Sequence, residues 1–164
     1  MPPETWPARP NTSGMPRRTT EDYEMTTGSA ASIATIAADV QLDEIVRPGI
    51  DLPPGAPKEY GKVMFVSTDG AFASGVWRGE AGTIPIASYP VDEHCTLLEG
   101  EVVLTDANGN SETFTAGMTF VVPVGFQGTW HMPVASSKLF ACHGTAETVG
   151  LMLGADTKSM PEPS

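Results

Sequence analysis

From Tyr60 onward the chain is a series of short runs, none long enough for a stable helix of its own. They are Lys62 to Ser67, Phe72 to Arg78, Thr83 to Tyr89, His94 to Leu98, Glu101 to Thr105, Ser111 to Phe114, Thr119 to Val122, Gly128 to Met132 and Lys138 to Cys142. Turn signals separate them: Thr68-Asp69-Gly70, Gly79-Glu80-Ala81-Gly82, Glu99-Gly100, and Asp106 to Asn110. Within the last, Asn108-Gly109 suits the positive φ of a tight hairpin. Many short strands joined this way fold as an all-β sandwich or barrel. The 17 glycines and 15 prolines among 164 residues fit such a chain.

Length allows one barrel with tails. Residues 1–28 are rich in Pro, Thr, Ser and charge, and read as a disordered N-terminal tail. Residues 29–59 form an N-terminal arm and linker. Within them Ile33, Ile36 and Val40 trace a poor helical stripe, and Pro53, Pro54 and Pro57 force extended backbone. Residues 60–153 are the barrel, and residues 154–164 a frayed C-terminal tail. The run Val149 to Leu153 reads as a last strand or an interface segment.

A net charge of −11 repels phosphate backbones, which excludes nucleic acid as a partner. No apolar run approaches the roughly 18 residues of a membrane helix, so no membrane association is expected. Cys95 and Cys142 are too few for a disulfide framework and read as buried thiols. Arg17-Arg18 is followed at once by acidic residues, and Ser32 and Thr35 interrupt the apolar patch behind it. No secretion signal is read there, and a cytoplasmic protein is expected.

Two stretches carry a family resemblance. They are Tyr89-Pro-Val-Asp-Glu-His-Cys-Thr-Leu-Leu-Glu-Gly100 and Gly117-Met-Thr-Phe-Val-Val-Pro-Val-Gly-Phe-Gln-Gly-Thr-Trp130. They resemble the paired motifs of the cupin superfamily. The resemblance implies a double-stranded β-helix, a jelly-roll barrel with a pocket in its mouth, here with an N-terminal extension. Trp77, Gly82, Asp92-Glu93, Leu98 to Glu101, Gly117, Pro123 to Trp130 and Lys138 are similar to one subfamily. It is that of the ethanolamine-utilisation cupin and the ureidoglycine aminohydrolase-like domains, matched from about Val63 to Ala141. Such a match speaks for fold and not for a reaction.

The resemblance also implies a ligand set that this chain lacks. Cupins place two histidines and a glutamate before the bend glycine, here Gly100, and a third histidine in the second motif. The glutamate is Glu93, but the histidine positions hold Ile86, Ser88 and Gly128. One ligand of four does not hold a catalytic metal. No metal and no other cofactor is expected. Glycine at 128 is expected to open space beside Trp130.

Strand alternation sorts the remaining side chains. With Glu93 inward, Cys95 and Leu97 are inward and His94 outward. With residue 128 at the pocket, Trp130 and Met132 are inward and His131 outward. Ile86 and Ser88 line the opposite wall. The expected pocket is therefore apolar, with Trp77, Ile86, Trp130 and Met132 around one carboxylate, suited to a small, partly apolar ligand. A carboxylate there must pair or take a proton. The only basic residues between Tyr60 and Thr145 are Lys62, Arg78 and Lys138. Lys138, part of the subfamily pattern, is the first choice of partner and Arg78 the second.

Three functions follow. The first is a metal-independent enzyme of isomerase, lyase, cyclase or hydrolase type. Glu93 and Lys138 are its catalytic pair, and Trp77, Arg78, Ile86, Ser88, Cys95, Trp130 and Met132 bind a small metabolite. The second is a binding protein without turnover, in which Glu93 and Lys138 form a structural ion pair. The third is a metal-dependent oxygenase or isomerase with relocated ligands drawn from His94, His131 and His143, a set that alternation turns away from Glu93. The resemblance further implies a homodimer, with Val149 to Leu153 as a candidate contact.

Overall fold

A computed structural model of the chain describes residues 33–46 and 53–154. The expected tails, 1–28 and almost all of 154–164, lie outside the described residues. The strands are β1 (Asp43–Glu44), β2 (Glu59–Val66), β3 (Phe72–Gly79), β4 (Gly82–Ile86), β5 (Asp92–Glu99), β6 (Glu101–Asp106), β7 (Ser111–Thr115), β8 (Thr119–Val122), β9 (Gly128–Met132) and β10 (Ser136–His143). One helix, α1 (Ala146–Leu153), follows them. Two antiparallel sheets face each other: a six-stranded one in the order β1-β2-β3-β10-β5-β8, and a four-stranded one in the order β4-β9-β6-β7. The all-β jelly-roll architecture with an N-terminal extension is the one the turn pattern and the resemblance imply.

Alternating burial holds along the strands that matter. On β5, Glu93, Cys95 and Leu97 are buried while His94 is exposed; on β9, Trp130 and Met132 are buried and His131 exposed. Between the sheets the core is tied by aromatic pairs. Phe114 of β7 stacks on Phe120 of β8 with ring centres 4.0 Å apart, and Trp130 of β9 meets Trp77 of β3 edge-on at 5.7 Å. Pairs of this geometry contribute about 0.5–1.5 kcal/mol each beyond the area they bury.

Two segments differ from the sequence reading. Residues 33–46 are extended, turn at 38–40, and add β1 to the edge strand β2 through Asp43↔Gly61 and Glu44↔Tyr60. Their apolar residues are spaced for neither a helix nor a strand, and edge pairing decides the matter. Val149 to Leu153 is neither strand nor free surface but part of α1, with Val149 and Gly150 buried. The signal lay just upstream. Thr145 caps the helix by accepting from the Thr148 amide, and Thr148 returns the contact to the Thr145 amide. Gly154, at φ 71°, closes the other end in the left-handed conformation.

Candidate functional site

The site rests on β10, which runs between β3 and β5. Lys138 stands opposite Trp77 on one side and Leu97 on the other. The ladder with β5 slips at Ser137/Lys138. Such a bulge re-aims the side chain beside it. Lys138 points inward and extends past Cys95 to Glu93, its Nζ 2.6 Å from Glu93 Oε2. Both side chains are 2–3 % exposed. Lys138, not Arg78, is the partner of Glu93.

Three donors converge on that one oxygen. Tyr89 OH donates to Glu93 Oε2 at 2.6 Å, Lys138 Nζ at 2.6 Å, and the Cys95 thiol at 3.2 Å. Tyr89 lies in the loop before β5. Its amide donates to the Phe126 carbonyl and its carbonyl accepts from the Gly125 amide, which fixes the ring. The Lys138 ammonium also sits 4.4 Å from the Trp130 ring centre and 5.1 Å from that of Trp77. Desolvated cation–π contacts of this kind contribute about 2 kcal/mol and help offset the cost of burying the charge. Trp77 is itself held by its Nε1, which donates to Glu59 Oε2 at 2.9 Å inside the protein. The Trp130 Nε1, also buried, has no acceptor among the described residues.

These contacts set the protonation of the cluster. Burial pulls the Lys138 ammonium down, but the facing Cys95 sulfur and Glu93 carboxylate outweigh it. Its pKa therefore lies above the ordinary lysine value. Burial pushes the Cys95 thiol up to about 12, with Lys138 opposing and Glu93 reinforcing the shift. Cys95 is therefore a protonated donor at neutral pH and not a nucleophile.

A cavity of about 390 Å³ opens above the cluster. Its floor is Trp77, Trp130 and Lys138, with Tyr89 and Glu59 at the side. Ile84, Ile86 and Ser88 form one wall, and Leu151 and Met152 of α1 lean over it. Glu93 is not on its surface. It borders a separate chamber of about 60 Å³, together with Ile45, Val63, Phe140, Met152 and Leu153.

The cavity thus gathers Trp77, Ile86, Ser88, Trp130 and Lys138 of the expected set. Arg78 has to be removed from it. Its side chain is exposed and faces a groove on the outer surface of the six-stranded sheet, beside Glu80 and Glu99. Met132 is removed as well. It is fully buried in the core below, where its sulfur and the Trp77 ring close over Gly79. Cys95 meets Glu93 and Lys138 behind the cavity floor and does not line the cavity. Nor does Gly128 open space. A Cβ there would run into the Thr105 carbonyl of β6, and the backbone, at φ 153°, favours glycine. Tyr89 and Glu59 were missed from the sequence. Tyr89 stands four residues before Glu93, but a loop carries it, and strand alternation says nothing about loops. α1 was missed because its capping threonines were not read.

A metal does not fit this donor set. The family's histidine positions are Ile86, Ser88 and a glycine whose side-chain space is backbone. Lys138 already places a cation on the surviving ligand, Glu93. Among the described residues no group of three or more His, Cys, Asp or Glu side chains converges. His94, His131 and His143 are all exposed, and His131 Nδ1 shares a hydrogen bond with Thr83 at 2.8 Å.

Comparison with known proteins agrees with the fold. Residues 66–140 match the family model of the EutQ-like cupin domain. A Pseudomonas syringae protein of unknown function from the DUF861 family superposes with a TM-score of 0.62 at 22 % identity, over 73 % of this chain and 51 % of that one. The chain thus spans about half the length of that protein. EutQ of Clostridium difficile superposes with a TM-score of 0.50 at 15 % identity, over 57 % of this chain and 74 % of that one. An acetylacetone dioxygenase of Acinetobacter johnsonii reaches 0.51 at 12 % identity, over 74 % of this chain and 80 % of its own. At these identities the likeness is one of fold. No functionally curated protein matches the sequence. Over residues 66–140 the chain is thus similar to the EutQ-like cupin domain, and its barrel has the fold of these solved structures.

Proposed function

We propose that the barrel is a metal-independent enzyme that moves a proton on a small, partly apolar metabolite bearing a carbonyl or carboxylate oxygen. One observation carries this reading. Two residues that line the cavity, Tyr89 and Lys138, each place a donor 2.6 Å from the same oxygen of a buried carboxylate, Glu93. Lys138, held as an ammonium, takes the ligand oxygen and stabilises negative charge that develops on it. Tyr89 faces the ligand and exchanges a proton with it, passing its own to Glu93 behind. Glu93 therefore acts through Tyr89 and Lys138 and is a positioning and relay residue. The indoles of Trp77 and Trp130 hold the apolar body. Isomerisation and elimination next to a carbonyl fit these roles.

The test is a thermal-shift screen of small carboxylic and oxo acids. Stabilising compounds are then incubated with the protein in D₂O and followed by NMR. Deuterium appearing at the carbon next to the carbonyl, and lost in Tyr89→Phe and Glu93→Gln, is the expected result. Binding without any exchange would make the barrel a ligand-binding protein, the reading favoured by the three donors already seated on Glu93 Oε2.

The family resemblance also supports a homodimer. Val149 to Leu153 is not its contact in this reading, since α1 leans over the cavity. Val121 and Val124, each 59 % exposed on and beside the edge strand β8, are better candidates. Elution as a monomer at micromolar concentration would refute it. Two thiols without a disulfide suit a reducing compartment, in keeping with a cytoplasmic place. No described helix is long and apolar enough to cross a membrane.

A further inference from the structure

Lys138 is the one cation that lines the cavity among the described residues, and the other charged residue there is a carboxylate, Glu59. The Lys138 charge is already matched, with Nζ 2.6 Å from Glu93 Oε2 and both side chains buried. An ammonium has three hydrogens to donate. Lys138 gives one to Glu93 Oε2 and directs a second at Cys95 Sγ, 3.4 Å away. The third has no nitrogen, oxygen or sulfur acceptor among the described residues. What the ammonium meets besides is the rings of Trp130 and Trp77, which form the same floor. A ring face is a weaker acceptor than a carbonyl oxygen, so one donor is left for a ligand that enters over the floor.

We propose that the group this site seats on Lys138 is an uncharged carbonyl, that of a ketone, ester or amide, and that an ionised carboxylate is turned away. The inference rests on Lys138 as the residue that takes the ligand oxygen, and it narrows that reading to one class. Two acceptors on one ammonium stand about 4–5 Å apart. A ligand carboxylate on the third donor would therefore face Glu93 at that distance in a buried space, with one positive charge between two negative ones. A neutral carbonyl meets the same donor and leaves the pair balanced. The proton chemistry agrees. When Tyr89 takes a hydrogen from the carbon next to an uncharged carbonyl and passes its own to Glu93, the carboxylate is neutralised as charge appears on the ligand oxygen. Lys138 then faces one negative charge throughout. Next to a carboxylate, the same step would gather two.

The experiment compares three probes of one skeleton, hydrocinnamate, hydrocinnamamide and benzylacetone, on the full chain by calorimetry and thermal shift. At about pH 7.5 the amide and the ketone are expected to bind about tenfold more tightly than the acid. As pH is lowered toward about 5.5, the acid should close that gap by up to about tenfold per pH unit, because its protonated form is the one that fits. The two neutral probes should hold constant. Glu93→Gln should invert the order, since Lys138 is then left with a charge that the acid matches and the amide does not. Equal affinity of acid and amide for the native protein at about pH 7.5 would overturn the proposal. So would an order that is the same in Glu93→Gln, because the apolar walls and not the ion pair would then set it. If Glu93→Gln does not fold, the pH series on the native protein decides, and an acid whose affinity does not rise as pH falls overturns the proposal. If none of the three probes binds, the Lys138 reading itself fails and the inference with it. Deuterium exchange takes no part in these readouts, so a barrel that binds without turnover leaves the test intact.

Discussion

The two sheets of the barrel bury different chemistry. Every buried polar or charged side chain among the described residues, namely Glu59, Glu93, Ser136 and Lys138, belongs to the six-stranded sheet. So do both thiols, Cys95 and Cys142. The four-stranded sheet buries Val102, Leu104, Phe114, Trp130 and Met132, and brings its own backbone close at Gly128. A metal in the family manner would draw on both walls. Here Ile86 and Gly128 remove that contribution from the four-stranded side. The cation that Glu93 requires comes instead from the neighbouring strand of its own sheet. Charge pairing is thus a matter within one sheet. The opposite wall is left to shape the cavity and shield it from water.

Removing the cation from the charged wall has the largest expected effect. Lys138→Met leaves Glu93 buried without its counter-charge and should cost about 3–5 kcal/mol of stability, read from urea denaturation. Removing both charges, as Lys138→Met with Glu93→Leu, should recover most of that loss, because the cost lies in the uncompensated charge. A double variant as unstable as the single one would show that packing around Trp77 and Trp130 holds the wall, and not the pair.

The apolar wall breaks differently. Gly128→His restores a family ligand in name only. Its Cβ meets the Thr105 carbonyl, and its backbone lies at φ 153°. It should destabilise the barrel by about 2–4 kcal/mol through backbone strain and displacement of β6. It should gain no affinity for zinc or nickel by calorimetry. A stable variant that binds metal would mean that the four-stranded wall can still serve as a ligand wall.

Much of this division was legible before any coordinates. Turn signals located the strands to within three residues at either end, because a glycine or an Asn-Gly stops a run whatever surrounds it. Alternation placed Glu93 and Trp130 inward and His94 and His131 outward, because neither β5 between 92 and 97 nor β9 carries a bulge to upset the count. The choice of Lys138 over Arg78 followed from charge scarcity together with the subfamily pattern. What failed were inferences about volume and depth. Met132 has the right parity but lies below the cavity floor, and parity carries no information on depth along the barrel. Arg78 neighbours Trp77 in sequence and so faces the other side of β3. Glycine at 128 was taken as missing bulk, whereas its absent side chain is what lets two strands approach. Tyr89 and α1 belong to segments whose placement depends on tertiary contacts, which no periodicity reports.

The most gradual effect is a pH dependence confined to the charged wall. Burial raises the Cys95 thiol to about 12 and the Cys142 thiol to about 11, each from an ordinary value of 9.0. Between those values the unfolded chain releases protons that the folded chain keeps. The stabilising contribution of each thiol is therefore complete below about pH 9. It is lost as pH rises toward the folded values, at no more than about 1.4 kcal/mol per pH unit for each thiol. Lys138, also raised, acts in the same direction but later, since its contribution is complete below the ordinary lysine value and is lost only as pH passes its folded one. Urea midpoints should thus hold steady near neutrality and fall progressively above pH 9. Cys95→Ala with Cys142→Ala should flatten the first part of that fall. Iodoacetamide at pH 8.5 should leave both thiols of the folded protein unmodified and label both in urea. Rapid labelling of Cys95 without denaturant would show that solvent reaches Glu93 and Lys138 from behind, so that the wall carrying the charges is not the dry one on which the ion pair depends.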